Sequence, residues 1–439
     1  AIRNYLLGLA ALLGGTFAIW RTIIAAQQTQ INREGHYTDL FTKAVEQLGA
    51  DKVVKKSEFW KLYKTKKGKD GRIRYKKDDD GNRIPVLRGD GSPRGEWRSH
   101  EITVPNLEVR HGAMYALERI AQDSERDQWP ILETLAAYVR HNTSDANLEK
   151  SMAAENLSEE DLEKIEPPRP DIMAALQVIS RRRIAAYPNY QKKIEKKIDC
   201  RRVNLRQANL TRLCIRETNF SGARMEKAIF FLADCRGNLF SNADLRFADF
   251  SYAYASEADF YGANLQYSDF IKSDLSGANF SYSHFEGNDF RESNLCKAHF
   301  NIVTIPNAIF KNAIISESNF YKFSAEKADF SNAVLSHSHF RSCDLRLASF
   351  VGTELKGVNF IGTNLFKARF TGCDLKGVSF EKSLIVGSDF SDASNVDITG
   401  AFTKDMMRNI YPSDELMDVI EAYQVVMEWY NWLDQQEGD

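Results

Sequence analysis

The chain has 439 residues, with 58 Lys+Arg against 60 Asp+Glu and a formal net charge of −2 at pH 7. That length suits two or three domains, and the near-zero total excludes a chain that is basic or acidic throughout. The charge is unevenly spread: residues 1–200 carry a net +5, residues 201–400 a net zero, and residues 401–439 a net −7. The six cysteines (Cys200, Cys214, Cys235, Cys296, Cys343, Cys373) form no CxxC pair and no metal-ligand spacing. They do not read as a secreted disulfide framework and favour a reducing compartment.

The first predicted element is an uncharged run from Asn4 to Trp20, bracketed by Arg3 and Arg21. Its length is at the short end for a membrane-spanning helix, and Trp20 suits a bilayer interface. A signal peptide and a buried soluble helix are the competing readings, but no small-residue cleavage site follows. The expectation is a transmembrane anchor over 1–26 that contacts lipid through residues 4–20. Charge and cysteine usage place the bulk of the chain on the cytoplasmic side.

A helical domain is expected over 27–199. Ile31, Tyr37, Phe41, Ala44, Val45 and Leu48 recur at helical spacing, and Gly49 marks a stop. Ala113, Ala116, Leu117 and Ile120 line a second helix; Ile131, Leu132, Leu135 and Tyr138 line a third, which Ser124 could cap. A fourth starts after Pro167-Pro168-Arg169-Pro170, with Ile172, Ala175, Leu176 and Ile179 on one face. An insertion at about 53–103 has Gly/Asp turns and short alternating runs, which predict one or two β-hairpins. It is rich in cations, among them Lys55, Lys56, Lys61, Lys64, Lys66, Lys67, Arg72 and Arg74, with Phe59, Trp60, Tyr63 and Tyr75 interleaved. Such a stretch can grip anionic lipid headgroups or nucleic acid; the plainer reading is a solvated surface hairpin.

From Phe220 to Phe390 every tenth residue is phenylalanine, eighteen in all, and most other multiples of five are Leu, Ile or Met. Two residues before many of these stands Ala, as in Ala243-Asp244-Leu245 and Ala263-Asn264-Leu265. A period of five fits neither a helix nor a flat strand, and strict self-similarity means a repeat architecture. The register runs from Arg201 to Phe390. This pattern closely resembles the pentapeptide-repeat family. The resemblance implies a right-handed quadrilateral β-helix over 200–402, with four units per coil. The central residue and the small residue two before it would point inward, and the other three outward. Phenylalanines twenty apart would stack in two ladders, with Leu or Ile on the other two sides. At about 4.8 Å per coil the rod is roughly 45 Å long. Phe323 and Ala325 read as an exchange of volumes, Asn238 and Asn288 as inward polar groups needing partners, and Val396, Ile398 and Phe402 as closing the last coil. The strings FTKAVEQLGADK, EVRHGAMYALERIAQDSERD and PDIMAALQVISRR look like the N-terminal region of membrane-anchored bacterial members of the same family, which places the protein at a bacterial inner membrane.

Residues 413–434 are helical by pattern and should cap the open end of the solenoid, within a C-terminal segment 403–439. Trp429, Tyr430 and Trp432 exceed what a cap needs and point to association. In the repeat, Phe247, Tyr252, Tyr254, Tyr261 and Tyr267 fall at outward positions and form an expected partner-binding patch. No P-loop, GxSxG, HExxH or Rossmann fingerprint occurs, and no catalytic, cofactor or metal residue is assigned. The expected function is therefore a non-enzymatic, membrane-tethered interaction scaffold or accessory subunit that binds a protein partner or itself. One alternative is the DNA-mimic role that some pentapeptide proteins play against DNA gyrase, which needs an acidic rod; nucleic acid ranks last among partners. Another is an effector whose membrane segment acts on the bilayer.

Overall fold

The structure is a computed structural model that describes residues 2–67, 73–76, 82–88, 92–143, 163–182 and 197–403; for residues 2–20, 31, 66–67 and 73–74 it describes the backbone only. It forms two compact units, residues 1–117 and 118–439.

In the first unit, helix α1 runs from Ile2 to Leu48, and Ala44 and Leu48 are its buried positions, as the periodicity predicts. Among the described residues no helix is long and apolar enough to cross a membrane. The side chains of residues 4–20, on which the anchor expectation rests, lie outside the described residues. The predicted insertion is a β-ribbon. Strand β1 (Asp51–Lys61) pairs antiparallel with the fourth strand, β4 (Gly95–Pro105), in one unbroken register from Asp51↔Pro105 to Lys61↔Gly95. Two short strands, β2 (Thr65–Lys67) and β3 (Ile73–Tyr75), pair at its far end. Arg110, in the helix that follows, donates to Asp51 Oδ1 (2.7 Å) and to the Ala50 carbonyl (2.9 Å), fixing the root of the ribbon.

Helix α2 spans Leu107–Asp123, and α3 (Glu125–Thr143) follows it directly. The buried positions of α2 are Ala113, Met114, Leu117 and Ile120. Met114 is buried and the expected Ala116 exposed, because positions 113, 114, 117 and 120 form one stripe at 3.6 residues per turn and 116 falls outside it. Helix α4 (Pro170–Ser180) packs on α3. Between them Asp171 is fully buried: Tyr138 donates to it at 2.5 Å and Arg169 at 2.8 and 3.1 Å. Burial pushes its carboxyl up, but these donors hold it below the usual carboxylate range.

Residues 197–403 of the second unit form the solenoid. Parallel bridges join residues twenty apart along all four sides, for example Asp244↔Asn264, Asp249↔Asp269, Tyr254↔Asp274 and Asp259↔Asn279. Sides are lettered here by their inward residue: A carries Phe220, Phe240 and Phe260; B carries Met225 and Leu245; C carries Phe230 and Phe250; D carries Cys235 and Ala255. Each corner is a β-turn, as in Ala223 N–H to the Phe220 carbonyl (2.9 Å), and its third residue is left-handed whether glycine or not (Tyr252 φ 59°, Tyr267 φ 60°). A left-handed side-chain-bearing residue costs about 1–2 kcal/mol. The Asp or Asn of the motif offsets part of this by accepting the turn's amide: Asp249 from Ser251 (2.9 Å), Asp269 from Ile271 (2.8 Å), Asn219 from Ser221 (2.9 Å). That is the physical reason for the second residue of the Ala-Asp/Asn-Leu/Phe unit.

Inside, the phenylalanines form the two predicted ladders. Rings twenty apart stack with centroids 4.2–5.7 Å apart, and the A and C ladders meet edge to face, as at Phe240–Phe250 (5.9 Å, 85°). Phe323 and Ala325 are both fully buried, so the exchange of volumes keeps the core filled. Asn288 donates to the Leu265 and Ser268 carbonyls and accepts from the Glu286 amide. Buried hydroxyls at the small position reach back to carbonyls 23 residues earlier, as Thr353 does to Phe330 (2.8 Å). Buried Cys235 and Cys343 are fillers; burial pushes both thiols up, Cys343 to about 12.

Arg140 of α3 pairs with Asp199 (3.4 Å) and Arg182, just after α4, donates to the Arg216 carbonyl, so α3 and α4 close the first coil. At the last coil Phe402 is buried as expected, together with Ala401, whereas Val396 and Ile398 are exposed. The chain shortens its last circuit: Asp397 accepts the Thr399 amide (3.0 Å), and Phe402 bridges Leu384 only 18 residues earlier. The predicted capping helix 413–434 lies outside the described residues.

Phe300 is fully buried, with Phe280 at 4.8 Å and Phe320 at 5.1 Å on either side. Replacing it by Ala should cost about 3–5 kcal/mol in denaturant unfolding, whereas Phe390→Ala, at the half-buried last rung, should cost clearly less.

Candidate interaction surface

The outward positions of the coils between residues 229 and 302 carry an aromatic girdle. At corner BC, Phe247 and Tyr267 stack at 5.1 Å and 15°. Tyr267 lies over Gly287, where an added Cβ would stand 2.9 Å from its ring, so the missing side chain seats the tyrosine. At corner CD, Tyr252 meets Phe231 edge-on at 5.5 Å, and the Lys272 ammonium lies 5.6 Å from its ring. At corner AB, Tyr261 and Tyr282 are 5.2 Å apart. Tyr254 stands on side D, 49% exposed. Tyr252, Tyr261, Tyr267 and Tyr282 are similarly exposed, so four tyrosines lie on three successive corners and a fifth, Tyr254, on side D of the same stretch of rod. The structure thus brings together Phe247, Tyr252, Tyr254, Tyr261 and Tyr267, and adds Tyr282 and Phe231. Tyr282 was legible as the outward residue 21 positions after Tyr261, one coil on.

Side C lies between two of these aromatic corners, and its centre carries Asp249, Asp269 and Asp289 in one column. Burial pushes Asp269 up, and Asp289 and Asp249 add to the effect. Each of the three also caps its own turn, and Asp289 is paired with Arg291 (2.6 Å).

Corner BC also holds a feature the sequence reading passed over. Arg206, Glu226 and Arg246 stack twenty apart and all three are buried. Arg206 donates to Glu226 Oε1 at 2.9 Å; Arg246 lies 3.6 Å and Arg224 3.8 Å from the same oxygen. Glu226 Oε2 has no hydrogen-bond partner. On the same corner the Gln207 amide donates to the Ile165 carbonyl (2.7 Å) and Lys227 meets Glu163 (3.4 Å), so the segment before α4 is seated on the first two rungs. Phe247 and Tyr267 are the next rungs of that column. Burial, with Asp244 adding, pushes the Glu226 carboxyl up to about 7 against the pull of Arg206.

Other expected residues are not brought together in this way. Trp429, Tyr430 and Trp432 lie outside the described residues, as do the side chains of Lys66, Lys67, Arg72 and Arg74. Lys55, Lys56, Lys61 and Lys64 are all exposed on the ribbon. A shallow crevice lined by Glu118, Gln122, Gln128 and Arg181 is bridged by the Arg181–Glu118 pair at 3.0 Å.

Four five-residue sides per coil, turned by left-handed corners and filled by paired ladders, define a quadrilateral parallel β-helix of repeat origin. Residues 197–226, 228–266, 239–277 and 273–312 match the family model of pentapeptide repeats (8 copies), and residues 322–390 match that of the pentapeptide repeat region, so the matches lie within the solenoid. It is similar to QnrB1, a plasmid-mediated fluoroquinolone resistance protein, at 18% identity over 43% of this chain and 92% of that one (TM-score 0.31). It is also similar to HetL from the cyanobacterium Nostoc sp. strain PCC 7120, involved in heterocyst differentiation regulation, at 22% identity over 49% and 94% (TM-score 0.21). A third is a pentapeptide repeat protein of the Arabidopsis thaliana thylakoid lumen, at 30% identity over 23% and 63% (TM-score 0.13). No curated protein matches the chain.

The Glu226 ladder carries a pH dependence whose sign follows from its position. The fold favours the protonated carboxyl, so this group's contribution is complete below about pH 4.5 and is lost as pH rises through about 7. Melting temperatures measured across that window should fall in the native chain relative to Glu226→Gln, which lacks the titration. Parallel curves would show that Glu226 is ionised throughout.

Proposed function

We propose that the protein is a non-enzymatic interaction scaffold whose solenoid presents the aromatic girdle to a protein partner, and that residues 4–20 tether it to a bacterial inner membrane. One observation carries the docking reading: four exposed tyrosines on three adjacent corners, with Tyr254 on side D, gather in one stretch of the rod. Clustered, pre-stacked aromatics offer large contact area at small entropic cost. The rod is stiff because its core is continuous, so the rings are held in fixed relative positions before any partner arrives. The net-zero charge of residues 201–400 disfavours a DNA-mimic role, which needs an acidic surface. The uncharged run and the helical backbone through it support the tether, with the bulk of the chain on the cytoplasmic side.

Tyr252→Ala with Tyr267→Ala should leave the melting transition intact, since both side chains point outward, and should weaken partner capture more than about tenfold. Photo-crosslinking from position 267, compared with outward position 354 on the distant part of the rod, identifies the partner. Unchanged capture by the double variant would remove the girdle from the reading. Deleting residues 2–20 should release the chain from alkali-washed membranes; retention in the pellet would count against the tether.

A further inference from the structure

We propose that the far half of the β1–β4 ribbon is a contact surface for an anionic lipid bilayer, separate from residues 4–20 and from the solenoid girdle. Among the described residues of 51–105 none is buried, and most are exposed. A two-stranded ribbon without cover is only marginally stable in water. This one nevertheless displays Trp97 at 71% exposure, Trp60 at 53%, and Leu62 and Leu87 at about half. Residues 51–105 hold 16 Lys+Arg against 9 Asp+Glu, a net +7 that calls for an anionic counterpart.

The arrangement of those groups selects among anionic partners. Along the shaft, Lys56 pairs with Glu58 (2.8 Å) and Arg98 with Glu96, which reduces the net charge there. Beyond the shaft the cations sit against aromatic faces: Arg83 lies 4.4 Å from the Tyr75 ring, and Tyr75 lies 6.0 Å from Tyr63. On the shaft itself Arg98, besides its pair with Glu96, lies 5.1 Å from the Trp60 ring. Indoles, a tyrosine, two leucines and lysines at one end of a ribbon match the interfacial zone of a bilayer. There rings and aliphatic chains enter the headgroup layer while ammonium groups stay with the phosphates. A nucleic-acid ribbon would instead present an unbroken cationic face to the phosphates, and Glu58, Glu96 and Glu101 interrupt this one.

The test uses the full chain reconstituted in phosphatidylcholine vesicles with brominated acyl chains, with and without about 30% phosphatidylglycerol. Tryptophan quenching should contain a component that appears only with the anionic lipid, disappears at high salt, and is absent from the Trp60→Phe/Trp97→Phe variant. Lys61→Ala with Lys64→Ala should raise the anionic-lipid fraction needed for half-maximal quenching, each cation being worth roughly fivefold in binding. An unchanged melting profile for these variants confirms that the fold is kept. Equal quenching in neutral and anionic vesicles, or quenching that survives the double Trp→Phe replacement unchanged, overturns the proposal. Displacement of the anionic component by a short DNA duplex at physiological salt overturns it in favour of nucleic acid. None of these outcomes depends on the girdle variants, so the two readings fail separately.

Discussion

The solenoid depends on one constraint: a coil of twenty residues cannot bury its own interior. Each coil offers four large and four small inward side chains, and their flat faces are covered only when another coil lies about 4.8 Å away. Stacked phenylalanines satisfy this on two sides, with the A and C ladders locking edge to face across the core. Main-chain bridges twenty residues apart supply the polar counterpart, since every inward step of the chain leaves amides and carbonyls that only the neighbouring coil can pair. Departures are absorbed locally for the same reason. Phe323 against Ala325, and Asn288 bonded to the coil before it, change the chemistry of one rung without disturbing the stack.

That constraint frees the outside. Three residues in five face outward and do nothing for the core, except where Asp or Asn caps a left-handed corner. Columns of outward residues are therefore read at intervals of twenty, and this chain uses them in two ways. Aromatic side chains accumulate on corners AB, BC and CD over a short stretch, while corner BC begins with a buried Arg–Glu–Arg column against which the segment before α4 is seated. The first unit obeys different physics. Among its described residues the ribbon has no buried side chain, and its composition is cationic and aromatic where the solenoid is neutral. Stability in the solenoid comes from repetition; in the ribbon it must come from its single antiparallel register and from whatever covers its faces.

Much of this was legible in the amino-acid order. The period of five, the inward ladders, the Phe323/Ala325 exchange and the stripes on α3 and α4 follow from local spacing, because each depends on residues whose relation is set by one repeat length. Phe247 over Tyr267 was legible for the same reason. Tyr282 and the Arg206–Glu226–Arg246 column were written in the same code but are visible only when outward residues, not inward ones, are followed at twenty.

Sequence by itself determined that this protein is a stack of pentapeptide coils with a basic insertion between helices, since a repeating core is specified rung by rung. Tertiary structure alone decided what happens where the repetition stops. Whether Val396 or Ala401 completes the last coil depends on a turn at Asp397 that shortens the circuit by two residues. The helices that close the first coil are α3 and α4, where Arg140 reaches the Asp199 carboxylate and Arg182 the Arg216 carbonyl. The burial of Glu226 likewise depends on what lies over corner BC, a relation between distant segments that no local period records.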